Sequence, residues 1–317
     1  MAHGSAPTAR VVRVLEALRL AADGGLRYAE LAQAADVSQA TCHAILATLT
    51  DAGYVVRDPA SRAYSLGPAL LGLGDAAERS FPEVQLARAE LDALAIETGL
   101  RCHAAKVVDD AITVVAVAGA TDVDDPIRPG TRIPFAPPFG AIHVAWSSPH
   151  IVEQWIRRAP SASFTAARLH DVVNDHRRSR VAVAPYTPAS ARLRELLGEL
   201  AADEVPDDVR HRTIELLGAI DRLDYTSEDL ASSDTLPVNT LTAPVFDRHS
   251  TVAFAVGLHV AEPELAADRI AALADALVGS ADRMTDAIGG RVPNTAHPMQ
   301  TSERVQESEH SWEPVGS

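Results

Sequence analysis

Four polar side chains, Ser38, Gln39, Thr41 and His43, fall within six residues of an otherwise apolar stretch, VSQATCHAILATL. Presented from a helix, these types donate to and accept from the edges of base pairs in a DNA major groove. Two arginines, Arg57 and Arg62, flank a DPAS turn a little further on, and Arg13 precedes the whole stretch. Guanidinium groups so placed suit phosphate, which sets affinity rather than sequence choice. A second set lies in the later part of the chain: Phe139 and Gly140 in a Pro-rich segment, Thr240 and Thr242 on one alternating segment, and His259 on the next. Hydroxyls and an imidazole on a strand face can hold a small polar ligand. A glycine ahead of a helix would admit a carboxylate to the first-turn N–H groups. The same side chains serve equally well as packing for a half-buried sheet.

Other chemistry has no constellation behind it. The chain lacks a Gly-x-Ser-x-Gly elbow, a phosphate loop, a dinucleotide glycine pattern and an HExxH pair, so it is not read as an enzyme, and neither a cofactor nor a metal is expected. Asp122, Asp124 and Asp125 alternate in one loop without the glycine and distal Glu of a calcium loop and read as a solvated turn. The run Asp175 to Arg180 is a local basic patch suited to a helix C-terminus. His103 and Lys106 belong to a predicted strand and are read as strand residues rather than ligand contacts. Cys42 and Cys102 are the only cysteines, too few for a disulfide framework or a thiolate metal site.

These residues need elements to place them. Val11, Val14, Leu15 and Leu18 share one face of a first helix that Gly24-Gly25 ends. Leu31, Ala34, Ala35 and Val37, then Ile45, Leu46 and Leu49, form an apolar stripe that folds back at Asp36, with Ser38 capping the second helix of the pair. Tyr54 to Val56 and Tyr64 to Leu66 alternate across the DPAS turn as a two-stranded wing. Residues 8–67 therefore read as a winged helix-turn-helix and 68–82 as a linker that includes a helix opening at Pro68. Residues 83–288 read as an α+β domain: a long helix over 83–98, a hairpin turned at Asp109-Asp110, helices over AIHVAWSS, 149–159 and 161–179, a strand RVAVA, a helical stretch 188–236, a hairpin turned at 247–250 and a last helix from about 262. Four or five strands with helices on one face are expected. Residues 289–317, polar and without period, read as a disordered tail.

With 317 residues, 47% hydrophobic and 22% charged, the composition is that of a globular protein. No apolar run reaches the roughly 20 residues of a spanning helix and no signal peptide precedes the fold, so a cytoplasmic protein without membrane contact is expected. The net charge of -15 argues against DNA until it is divided: residues 1–80 hold seven Arg and eight acidic residues, so the acid belongs to the second part. A local stripe of arginine can still face DNA. The rival is a protein-interaction or sensory module with degenerate DNA binding, which a recognition helix free of Lys and Arg permits.

The chain resembles the IclR family of bacterial transcriptional regulators. Three stretches carry the likeness: VSQATCHAILATLTDAGYVVRDPASRAYSLG, GTRIPFAPPFGAIHVAW and TLTAPVFDRHSTVAFAVGLHVAEP. The resemblance implies a repressor or activator that binds a double-stranded operator and forms a homodimer or homotetramer. It also implies a GAF-like second domain that takes a small-molecule effector, often an organic acid or an aromatic metabolite. The chain departs from the family where Ala44 replaces the usual Arg, where Ala141 follows Gly140 in place of Lys, and where the 188–236 stretch occupies the place of an acidic pocket residue.

Overall fold

The protein is described from a computed structural model that covers residues 5–21, 24–120, 127–159, 164–190, 192 and 223–293. Its first unit is three helices and a wing: α1 Ala6–Leu20, α2 Tyr28–Ala34, α3 Gln39–Asp51, β1 Val55–Arg57 and β2 Tyr64–Leu66. Val14, Leu18, Leu31, Ala32, Cys42, Leu46 and Val55 meet in one core. Each fully buried leucine there contributes about 1.5–3 kcal/mol. Ala34, expected on the apolar stripe, is exposed instead. Leu31 and Ala35 sit one turn apart on the buried face, and Ala34 falls beside it. Asp36 adopts φ +48°, as the turn between α2 and α3 requires, and the Val37 amide donates to the Ala32 carbonyl at 3.0 Å. The wing has a third short partner that the sequence did not suggest. Leu26 and Tyr64 exchange backbone hydrogen bonds of 3.0 and 2.8 Å, which ties the chain entering α2 to β2.

The linker region contains α4 Ala69–Glu78, none of whose side chains is buried. The helix expected over 83–98 is two pieces, α5 Pro82–Leu86 and α6 Arg88–Thr98. The change of direction at buried Ala87 lets Val84 and Leu91 reach the same core.

Among the described residues the α+β domain is built on six antiparallel strands: β3 Arg101–Val108, β4 Ala111–Ala118, β5 Arg132–Pro134, β6 Ala182–Pro185, β7 Thr235–Phe246 and β8 Val252–Ala266. Their spatial order is β5-β4-β3-β8-β7-β6. The helices do not keep to one face, contrary to expectation. On one side α6 and α11 Ala267–Ala287 cover Cys102, Ala104, Leu241, Ala243, Phe254, Val256 and Leu258. On the other, α7 Ala141–Val144, α8 Pro149–Ile156 and α9 Ala166–Ser179 pack around Trp155, Leu169 and Val173 against Ala182, Phe246 and Ala255. Sheets covered on both faces carry apolar residues at consecutive positions rather than alternately, as Phe254 to Leu258 do around Gly257.

Several boundaries move. The AIHVAWSS helix is only four residues long, because Ser148 and Pro149 start α8 immediately afterwards. The last helix begins at Ala267 rather than near 262, since β8 stays paired with β7 as far as Thr235↔Ala266, with Ala261 at φ +54° among the register shifts. Of the 188–236 stretch, residues 193–222 lie outside the described residues. The remainder, from 223 onward, is not all helix: Tyr225 bridges Val183 on β6, α10 spans Ser227–Ala231, and 235–236 are already strand. Asp122, Asp124, Asp125 and residues 294–317 also lie outside the described residues. Residues 289–291, read as the start of a disordered tail, are tied down, with the Gly290 amide on the Thr285 carbonyl at 2.7 Å and Arg291 on Asp247 at 3.0 Å.

Candidate functional sites: a nucleic-acid face and a cavity

The recognition helix starts as its sequence dictates. The Ser38 hydroxyl accepts from the Thr41 amide at 3.2 Å and lies 2.8 Å from the Thr41 hydroxyl, so it satisfies an otherwise unpaired first-turn donor. Ser38, Gln39 and His43 are exposed, and Thr41 is half-buried. At the wing tip the Asp58 carboxylate accepts from the Ser61 hydroxyl at 2.6 Å and from the Ala60 and Ser61 amides, bonds that hold its pKa below the usual carboxylate value. This closed turn leaves Arg62 at φ +61°, exposed. Arg57, also exposed, lies over the Tyr64 ring at 5.5 Å. Arg13 is placed differently. Its Nε donates to the Ala35 carbonyl at 2.9 Å and its Nη2 to the Asp36 carbonyl at 3.3 Å, so the guanidinium braces the turn between α2 and α3.

A cavity of about 160 Å³ lies within the α+β domain. Phe139, Gly140, Thr240, Thr242 and His259 all line it, as do Ile112, Val114, Ile127 and Ile133 along an apolar wall. An apolar cavity of roughly 150 Å³ holds benzene, so this one has room for a single ring or a short branched chain. Gly140 is required by its surroundings. It sits at φ +90°, and a Cβ there would come within 2.7 Å of Phe135 and 3.2 Å of Ile112. The helix that follows Gly140, α7, is a single turn, so its aligned dipole is small and any carboxylate there would rest on the first-turn N–H groups themselves. The indole of Trp155 donates to the Phe139 carbonyl at 2.8 Å and pins this segment.

Residues beyond those expected complete the lining: His103, His143, Asn239 and Asp224. Lys106 is not among them; its ammonium pairs with Glu83. The His103 and His259 rings face each other across adjacent strands with centroids 4.6 Å apart. Room for the His103 ring depends on Gly257, where a Cβ would approach its Cε1 to 2.3 Å. Asn239 and Thr240 are sequence neighbours that both reach the cavity, because the β7 register shifts between Val238 and Thr240. His143 stands three residues after Gly140 on the same helical face, a spacing that could have flagged it.

Two titratable groups of the lining, His143 and Asp224, are held towards their neutral forms. Burial, reinforced by the nearby His103, pushes the His143 pKa down to about 4; its remaining accessible surface opens on the cavity. The Asp224 side chain keeps 16% of its surface, and burial pushes its carboxyl up to about 7. Asp224 Oδ2 lies 3.4 Å from Nε2 of His176, a wholly buried residue of α9 whose pKa burial lowers to about 4. At neutral pH His143 thus offers an uncharged imidazole, one donor and one acceptor, beside hydroxyls and an amide. Among the described residues no three His, Cys, Asp or Glu side chains converge to hold a metal ion.

A winged helix-turn-helix followed by a domain with a cavity of small-molecule size is the architecture of a ligand-responsive DNA-binding regulator. Residues 7–59 match the model of the IclR helix-turn-helix domain, and this chain therefore carries an IclR-type DNA-binding domain. Solved structures of IclR regulators share its fold. An IclR transcriptional regulator from Alicyclobacillus acidocaldarius is 19% identical, with a TM-score of 0.56 over 90% of this chain and 100% of that one. The Thermotoga maritima IclR is 12% identical, with a TM-score of 0.58 over 89% and 98%. An IclR homolog from Microbacterium hydrocarbonoxydans, complexed with 4-hydroxybenzoate, is 13% identical, with a TM-score of 0.56 over 90% and 99%. No curated protein matches the chain. No helix among the described residues is long and apolar enough to cross a membrane.

Proposed function

We propose that this chain regulates transcription in the cytoplasm by binding a pseudo-palindromic operator as a homodimer, or a tetramer of two such dimers, with a small molecule in the cavity shifting subunit geometry and hence half-site spacing. The observation that carries this reading is the cavity, lined by apolar side chains together with hydroxyls, an amide and imidazoles, in the domain that follows an IclR helix-turn-helix. Ser38, Gln39, Thr41 and His43 read bases, Arg57 and Arg62 hold phosphate, and Arg13 contributes through the turn it braces. Phe139, Gly140, Thr240, Thr242 and His259 contact the effector, with His103, His143, Asn239 and Asp224 beside them. Room for one ring favours a small aromatic metabolite or organic acid, and the relative that binds 4-hydroxybenzoate supports that choice. The exposed Leu71 and Leu73 of α4, at 76% and 52%, lie on different sides of the helix, and each offers an apolar contact to a second copy. The domain is a sensor and not an enzyme.

Selection of fragments from sheared genomic DNA by the full-length protein, at two salt concentrations with competitor DNA, tests the reading. An enriched inverted repeat supports it. Absence of enrichment at low salt, where phosphate contacts are strongest, would leave the protein-interaction reading.

A further inference from the structure

We infer that Tyr28 is a positioning residue: it fixes how α3 is presented to DNA and so sets sequence choice through Gln39 and His43. The inference rests on the DNA-binding reading above. Tyr28 opens α2, and its ring packs against the core of the winged module. Its hydroxyl donates to the backbone carbonyl of Gln39, the first residue of α3. Its ring meets the imidazole of His43 edge-on, with centroids 6.3 Å apart and planes at 81°. Gln39 and His43 are four residues apart and share one helical face. One side chain therefore touches the base-reading helix at two points a turn apart, which restrains rotation of α3 about its own axis.

The same residue joins the wing to the helix. Leu26, two positions earlier, is hydrogen-bonded to Tyr64, and the Tyr64 ring lies under Arg57. A continuous path thus runs from the phosphate-facing wing arginine through β2 and Leu26 to Tyr28 and the start of α3. With no Arg or Lys on α3, base choice depends on short side chains whose hydrogen bonds are directional and weaken steeply once misaligned. A brace on the helix matters more under those conditions than where a long bidentate arginine can adjust. Phenylalanine at position 28 keeps the ring and loses only the hydroxyl, so the two contacts can be separated.

The test is selection from random-sequence duplexes with the full-length wild type, Tyr28→Phe and His43→Ala, together with binding to non-operator DNA across a salt series. Tyr28→Phe is expected to cut discrimination threefold to tenfold, about the worth of one hydrogen bond, at the base pairs that His43→Ala also blurs. Non-specific affinity and salt slope should stay unchanged, since Arg57 and Arg62 set them. Loss spread evenly over all sequences, or losses of the two variants at unrelated base pairs, would overturn the inference. His43 is exposed, so its variant folds even where Tyr28→Phe does not, and unchanged preference in His43→Ala is fatal to the inference by itself. A wild type that selects no sequence defeats the DNA-binding reading instead, an outcome plainly different from selection that ignores Tyr28.

Discussion

The winged module and the cavity use polar side chains in opposite ways. On the module Ser38, Gln39, His43, Arg57 and Arg62 are exposed, and the fold asks of them little beyond the Ser38 cap. In the α+β domain burial pushes His143 and Asp224, which line the cavity, and His176 beside Asp224 towards their neutral forms, so the first two belong to the site and to the folding balance at once. Function on the first surface can therefore be altered with small changes in stability. Function in the second cannot where it rests on His143 or Asp224, because these two also set how the domain responds to pH.

The two regions can be separated most sharply by two glycines. A Cβ on Gly67 would lie 2.2 Å from the backbone oxygen of Gly53, which has no rotamer to give way. Gly67→Ala should thus cost the module about 3 kcal/mol and abolish DNA retention while the cavity still binds. Gly257→Ala does the converse, forcing the His103 ring off His259 for about 1–3 kcal/mol. Any ligand-dependent rise in melting temperature should be lost and DNA retention kept. Equal damage to both activities from either variant would show that the regions are not independent.

The pH response arises from His143 and Asp224 in the cavity and from His176 behind Asp224. His143 and His176 have folded pKa values near 4 against 6.5 when exposed, so the stability they add is complete above about 6.5 and disappears as pH falls to about 4. Asp224, raised from 3.8 to about 7, works the other way: its penalty is absent below 3.8 and grows as pH rises to about 7. Asp224→Asn should therefore raise the melting temperature at pH 8 by at least about 5 °C and leave it nearly unchanged at pH 4. An unaltered or lower value at pH 8 would mean that Asp224 is compensated in a way its contact with His176 does not reveal.

The same division explains what could be read from the sequence. The Ser38 cap, the left-handed Asp36 and the wing turn act within a few residues of themselves, so local pattern was enough. Thr240, Thr242 and His259 were legible through strand alternation, and Phe139 and Gly140 through their place ahead of a helix. Asp224 was not, because its position depends on Tyr225 pairing with Val183, a partner distant in sequence. Asn239 was hidden by a register shift that alternation cannot foresee. For Arg13 charge alone suggests phosphate and does not show that the Ala35 and Asp36 carbonyls lie within its reach. The unbroken run from Phe254 to Leu258 did announce a sheet covered on both faces, a sign obscured by the small residues Ala255 and Gly257 within it.

A smaller effect tests whether the wing arginines act through charge. Arg62 sits at φ +61°, a conformation glycine adopts freely and alanine does not, so Arg62→Gly removes the charge without straining the turn. Affinity for any duplex should fall roughly tenfold at low salt and the salt slope should drop by about 1, with Arg57→Ala giving a similar loss and neither changing sequence preference. A loss confined to one sequence would assign Arg62 to base reading.

The finest separation is at Ser38, where capping and DNA contact coincide in one hydroxyl. Ser38→Ala removes the acceptor for the Thr41 amide and should lower module stability by about 1 kcal/mol, with weaker DNA binding that could be blamed on either role. Ser38→Asp distinguishes them, since aspartate caps as well as serine and suits the positive end of a helix, yet sets a carboxylate against DNA phosphate. It should melt at or above the wild-type temperature while losing DNA affinity at least tenfold. If Ser38→Asp binds DNA as the wild type does, the start of α3 does not lie at the phosphate backbone, and base reading must begin nearer His43.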